Sequence, residues 1–139
     1  MEYKRFENYI IARIDKGEEI IESLKKISVD ENIKLASISA LGAVNKFTVG
    51  VLKTDSKEYL SNNFEGNFEI VSLTGTITNM SDAPYLHLHM SAADENGKVF
   101  GGHLNKAFVS ATCEMVINII NGSVSREYDE NVGLNLFKF

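Results

Sequence analysis

A chain of 139 residues and 15.4 kDa has room for one domain with a real core and not for two. Its 44% hydrophobic and 24% charged residues are those of an ordinary soluble globule, and a net charge of −5 argues against a nucleic-acid surface built from net positive charge. A single cysteine excludes an internal disulfide, a single proline is unlike a disordered tail, and no apolar run is long enough to span a bilayer.

The N-terminal stretch MEYKRFENYI lacks a secretory apolar segment, and Cys113 lies in an apolar run where a buried, reduced thiol is expected. Both features lead us to expect a cytoplasmic protein. Tyr3 to Glu7 and Tyr9 to Ile14 read as short strands joined near Asn8. Asp15-Lys16-Gly17-Glu18 then has capping-box spacing and predicts a long helix from about Gly17 to Asn32. Ile20, Ile21, Leu24 and Ile27 form its apolar stripe, while Glu19, Glu22, Lys25 and Lys26 lie on the solvated side with a Glu22–Lys26 pair.

From Ile33 the helical period gives way to β-branched residues. Four strand-length runs, IKLASISALGAV, KFTVGVLKT, SKEYLSNNF and NFEIVSLTGTIT, are punctuated by Gly42, Asp55-Ser56 and Glu65-Gly66-Asn67. The small residues around Ser37 and Ser39 suit close packing. After residue 106, AFVSATCEMVINII reads as a buried strand or short helix, with its Val, Thr and Ile content favouring strand, Asn121-Gly122 as a turn into Ser123 to Tyr128, and Leu134 to Phe139 as the last strand. The pattern predicts an α+β fold, mostly antiparallel, with one helix on the sheet and residues 1–139 forming a single domain.

All three histidines fall within PYLHLHMSAADENGKVFGGHL, residues 84–104. The alternation Tyr85-Leu86-His87-Leu88-His89-Met90 puts both imidazoles on one strand face and the aliphatic side chains on the other. A three-residue loop Glu95-Asn96-Gly97, with Gly97 in the left-handed conformation, would pair Asp94 with Lys98 and set His89 opposite His103. A two-residue Asn96-Gly97 loop would instead throw His103 to the far face. On the first register His87, His89 and His103 form a three-imidazole set of the kind that holds zinc, nickel, copper or iron with a position left open. The alternative is three surface or interface histidines. Gly101-Gly102 marks either a bulge or a close approach by another strand, subunit or ligand.

RIDKGEEIIESLKK, ASISALGAVNKFTVG, GNFEIVSLTGTIT and YLHLHMSAADENGKVFGGHL followed by TCEMVI together resemble the PPC domain shared by plants and prokaryotes, in order along nearly the whole chain. The resemblance implies an antiparallel sheet with a packed helix, assembled as a homotrimer. Plant relatives carry a basic AT-hook before this domain, and no Arg-Gly-Arg-Pro occurs here. Their partner-docking hexapeptide resembles Gly66 to Val71, with Asn67 where Arg is expected, so Gly66, Phe68 and Glu69, together with Gly101 and Gly102, are candidate partner or oligomer contacts. The free-standing prokaryotic type resembles this chain in its His-x-His and Gly-Gly-His, which implies a histidine metal site.

Three functions follow as expectations. The first is a small homotrimeric binding protein with a zinc or related divalent transition-metal site on His87, His89 and His103. The second is a metal-dependent enzyme, a hydrolase or lyase acting on a small molecule, with Glu114 or Asp94 as base. The third is a DNA-associated scaffold using Lys4-Arg5, Lys25-Lys26 and Lys34, which the acidic composition disfavours.

Overall fold

The computed structural model describes residues 1–139 and contains eight strands and one helix, in the order β1 (Glu2–Phe6), β2 (Tyr9–Asp15), α1 (Ile20–Asp30), β3 (Ala36–Lys53), β4 (Glu58–Met80), β5 (Ala83–Ala93), β6 (Val99–Ile119), β7 (Ser125–Asp129) and β8 (Leu134–Lys138). Every pairing is antiparallel except one parallel bridge, Asn79 with Ser125, that ties the β7–β8 hairpin to β4. Strand β3 pairs with β4 and β6, and β5 pairs with β4 and β6, so these four strands close into a ring. No helix is long and apolar enough to cross a membrane.

Period-two alternation builds the core. Leu73 and Ile77 of β4, Leu88, Met90 and Ala92 of β5, and Leu104 of β6 point inward, while the residues between them face out. Phe47 anchors the inside, stacked on Phe64 at 4.9 Å between ring centres and edge-on to Phe68 at 5.0 Å. The helix adds Ile20, Leu24 and Ile27, all fully buried. Cys113 is buried too, and burial pushes its thiol up to about 12, which leaves it inert at neutral pH.

The helix is shorter than its sequence pattern suggests, spanning 11 residues instead of the stretch from Gly17 to Asn32. Gly17 takes φ +88° and donates its N–H to Val109 O, so Asp15 to Glu18 make a turn that docks on β6 in place of a first helical turn. Glu18 does reach back to the Asp15 amide as a capping box would. The N-cap, however, is Glu19, which accepts from the Glu22 amide through one carboxylate oxygen and from the Ala107 amide through the other. Glu19 is therefore a tether to the sheet and not part of a solvated face. Lys26 pairs with Asp30 at 2.6 Å, not with Glu22.

Two of the predicted strand breaks are bulges inside longer strands. The run containing Gly42 fuses with the next into the 18-residue β3, and the runs flanking Glu65-Gly66-Asn67 fuse into the 23-residue β4, with the ladder slipping register at both places. Only the break at Asp55-Ser56 is a true turn. Gly42 has φ +145°, and a Cβ there would collide with the Thr112 carbonyl and lie 2.7 Å from Cys113 Cα. Because both the conformation and the space exclude a side chain, we predict that Gly42→Ala destabilises the fold by about 1–3 kcal/mol. Urea unfolding monitored by circular dichroism checks this, and an unchanged midpoint would contradict the close β3–β6 pairing at Gly42.

Candidate metal centre

The turn that decides the histidine geometry is the three-residue form. Gly97 sits at φ +75°, Asp94 N donates to Lys98 O at 2.9 Å, and Gly97 N donates to Asp94 O at 2.9 Å. Asp94 Oδ1 also accepts from the amides of Asn96 and Lys98, so its carboxylate is spent on the turn. From that start the β5–β6 ladder runs without a slip, Ala93 opposite Val99 and His89 opposite His103. His87 lies two residues along β5 on the same face, opposite Thr76 of β4.

The three rings converge. Their centres lie 5.2 Å apart for His87 and His89, 5.3 Å for His87 and His103, and 5.6 Å for His89 and His103. One nitrogen from each falls within 4.8 Å of the other two. Nitrogens around a tetrahedral ion with bonds of about 2.05 Å are about 3.3 Å apart, a gap that small rotations of the rings close. Three imidazoles with no carboxylate among them form a borderline-soft nitrogen donor set suited to zinc, nickel, copper or iron and not to calcium or magnesium. His89 is exposed and the other two are half-buried, so the set opens outward to further ligands.

Electrostatics favour the neutral, ligating form of two of the rings. Burial holds His87 below the ordinary histidine value, helped by the positive charges that His103, Arg126 and His89 would bring. Burial likewise lowers His103, with His89 as the second cause. An unfolded chain therefore takes up protons at these positions first, and their protonation costs folding stability as pH falls through the ordinary histidine range.

Two walls of the site are not visible in the sequence pattern. Tyr59 lies over the backbone of Gly50, where any Cβ would collide with its ring, and stands edge-on to His103 with ring centres 6.3 Å apart. Its hydroxyl donates to Asn105 Oδ1 at 2.7 Å. Beyond His87, the β7–β8 hairpin lays Arg126 between the rings of Tyr85 and Phe137, 4.5 Å from each ring centre. Arg126 Nε donates to Thr78 Oγ1 and Nη1 to the Asn135 carbonyl, while Nη2 is buried without a partner. Nothing in residues 125–138 announces this placement, because a hairpin's docking site is set by tertiary packing.

The other predicted residues lie elsewhere. Glu114 sits opposite Arg13 and Leu41 in the ladder and borders a separate surface hollow with Tyr3 and Lys4, so neither it nor Asp94 joins the histidines. Gly101 and Gly102 continue a regular ladder without a bulge, and a Cβ on Gly102 would come 2.6 Å from the Gly50 carbonyl of the same chain. Phe68 is a core residue against Phe47, Glu69 is exposed, and Gly66 lines an open surface hollow with Lys46 and Asn67.

The model of the Plants and Prokaryotes Conserved (PCC) domain family matches residues 1–121. Among solved structures, a Bacteroides thetaiotaomicron protein provisionally described as DNA-binding is 30% identical with TM-score 0.97, over 99% of this chain and 96% of that one. A metal-containing protein from Archaeoglobus fulgidus is 29% identical with TM-score 0.90, over 99% and 97%. A plant- and prokaryote-conserved (PPC) protein from Pyrococcus horikoshii is 27% identical with TM-score 0.86, over 99% and 94%. No curated protein matches the sequence.

In the metal-free protein, the ring protons of His87 and His103 should titrate below the unperturbed midpoint of 6.5. Nuclear magnetic resonance assigned by single His→Gln variants measures this, and midpoints at or above that value would contradict the burial of these rings.

Proposed function

This chain belongs to the Plants and Prokaryotes Conserved domain family, and on that premise we propose that it is a small binding protein holding one transition-metal ion, zinc, on His87, His89 and His103. The observation that carries this reading is the convergence of three imidazole nitrogens within 4.8 Å on the adjacent strands of one hairpin. Strand-borne ligands with a fixed register lose little entropy on binding, so the site is largely preorganised. The metal content of the Archaeoglobus fulgidus relative, 29% identical over almost its whole length, supports it.

The protein works as a homotrimer in this reading. Exposed Leu41, Val51 and Val71, each more than half accessible, give the single chain apolar surface that assembly would cover. A DNA-binding role has weaker support. The chain is acidic, and two of the basic groups that such a surface would need are already paired, Arg5 with Glu31 and Lys26 with Asp30.

A second reading, metal-dependent catalysis, is favoured by the open coordination of a three-histidine set with His89 exposed. A zinc ion bound in that way lowers the pKa of its water to about 7. Neither carboxylate singled out from the sequence serves as base, because Asp94 caps the turn and Glu114 faces Arg13. A base would have to come from the ligand or from bound water.

Protein purified without a histidine tag should contain about one equivalent of zinc per chain by elemental mass spectrometry, and His89→Ala should lose it. Stoichiometric metal retained by His89→Ala would overturn the assignment of the ligands. Light scattering after size exclusion should give three times the 15.4 kDa chain mass, and a monomer at micromolar concentration would remove the trimer from the proposal.

A further inference from the structure

Beside the histidines the outer face of the sheet is scooped out. Ser72, Ser91 and Gly101 lie in register across β4, β5 and β6, two residues along each strand from Thr74, His89 and His103. That places the two rows about 7 Å apart. Gly101 contributes no side chain, and a Cβ there would press on Met90 O at 2.8 Å and Ser91 Cβ at 2.9 Å. The space left is a concavity of about 250 Å³ bordered by His89, Thr74, Ser72 and Ser91.

Two properties of this hollow point to its occupant. The hydroxyls of Ser72, Thr74 and Ser91 are free of intramolecular hydrogen bonds, unlike those of Thr48, Thr78 and Tyr59, so they can donate to a ligand. No carboxylate lines the hollow, although the chain has 19 acidic residues. Donor hydroxyls and the absence of carboxylates, next to the proposed metal at His89, favour an anion. The volume lies below the roughly 300–1,000 Å³ of pockets for drug-sized ligands, so that anion is small.

We propose that the hollow formed by Ser72, Thr74, Ser91 and Gly101 beside His89 is a seat for a small oxyanion, a carboxylate or a phosphate, held jointly by the metal and the three hydroxyls. This rests on the metal-site reading above. The metal supplies charge and a coordination position, and the hydroxyls distinguish an oxyanion from a simple halide by offering several donors to several oxygens.

The test uses cobalt(II) in place of the native ion, since its visible absorption reports ligand exchange directly. Wild type and a Ser72→Ala, Thr74→Val, Ser91→Ala triple variant are loaded with cobalt and titrated separately with acetate, phosphate and chloride. We expect wild type to bind acetate or phosphate more tightly than chloride, with the stronger of the two naming the class of oxyanion. The triple variant should keep one cobalt per chain and its chloride affinity while losing about tenfold in oxyanion affinity. Thr74→Val alone, isosteric at an exposed position, should lose about threefold and guards against misfolding of the triple variant. Equal oxyanion affinity in wild type and variants, or no preference over chloride in wild type, overturns the oxyanion seat while the metal site stands. Failure of wild type to take up cobalt overturns the metal site itself and the seat with it.

Discussion

A strand ladder has no intermediate registers: a shift of one residue turns every side chain to the opposite face, and in the β5–β6 hairpin that constraint decides whether there is a site at all. The three-residue turn closed by Gly97 and held by the Asp94 carboxylate sets His89 opposite His103. The same register sends Leu88, Met90 and Leu104 into the core. Slippage that scattered the imidazoles would also expose these aliphatic side chains to water, at a cost of about 1.5–3 kcal/mol for each. The core thus holds the histidines in place without touching them.

The rest of the fold can be understood as what lets long strands wrap into a closed ring. Strands β3, β4 and β6 run for 18, 23 and 21 residues, and straight strands of that length would not close. Bulges at Gly42 and Gly66 bend them and adjust the register between their two halves. Bare positions at Gly42, Gly50 and Gly102 then let the paired strands β3 and β6 lie close against each other where their ladder slips. One result is functional: with Gly50 bare, Tyr59 can lie down beside His103.

Charge is distributed against the chain's overall sign. The protein is acidic, yet the outer face around the histidines carries imidazoles, hydroxyls and one guanidinium between two aromatic rings. Half-burial of His87 and His103 penalises their protonated forms, and the nearby cations reinforce it. A face of this kind attracts electron-rich ligands. It also explains why a net charge of −5 is a poor guide to what binds here.

The alternation of residues 85–90, the single helical stripe and the β-branched runs were enough to read an α+β, mostly antiparallel domain and to put His87 and His89 on one face, because side-chain period is a local property of the chain. The Glu95-Asn96-Gly97 loop, the natural reading of that stretch, brings His103 into the same set, although only the assembled hairpin excludes the two-residue alternative. Local sequence could not tell a glycine that ends a strand from one that bulges it, so Gly42 and Gly66 read as breaks. It could not foresee that Glu19 would leave the solvated face to cap the helix and hold Ala107. Nor could it place Tyr59, Arg126 or the hollow at Gly101, which depend on strands and a hairpin far apart in sequence meeting on one face. Periodicity fixes which way a side chain points; what it meets there is settled by packing over the whole ring.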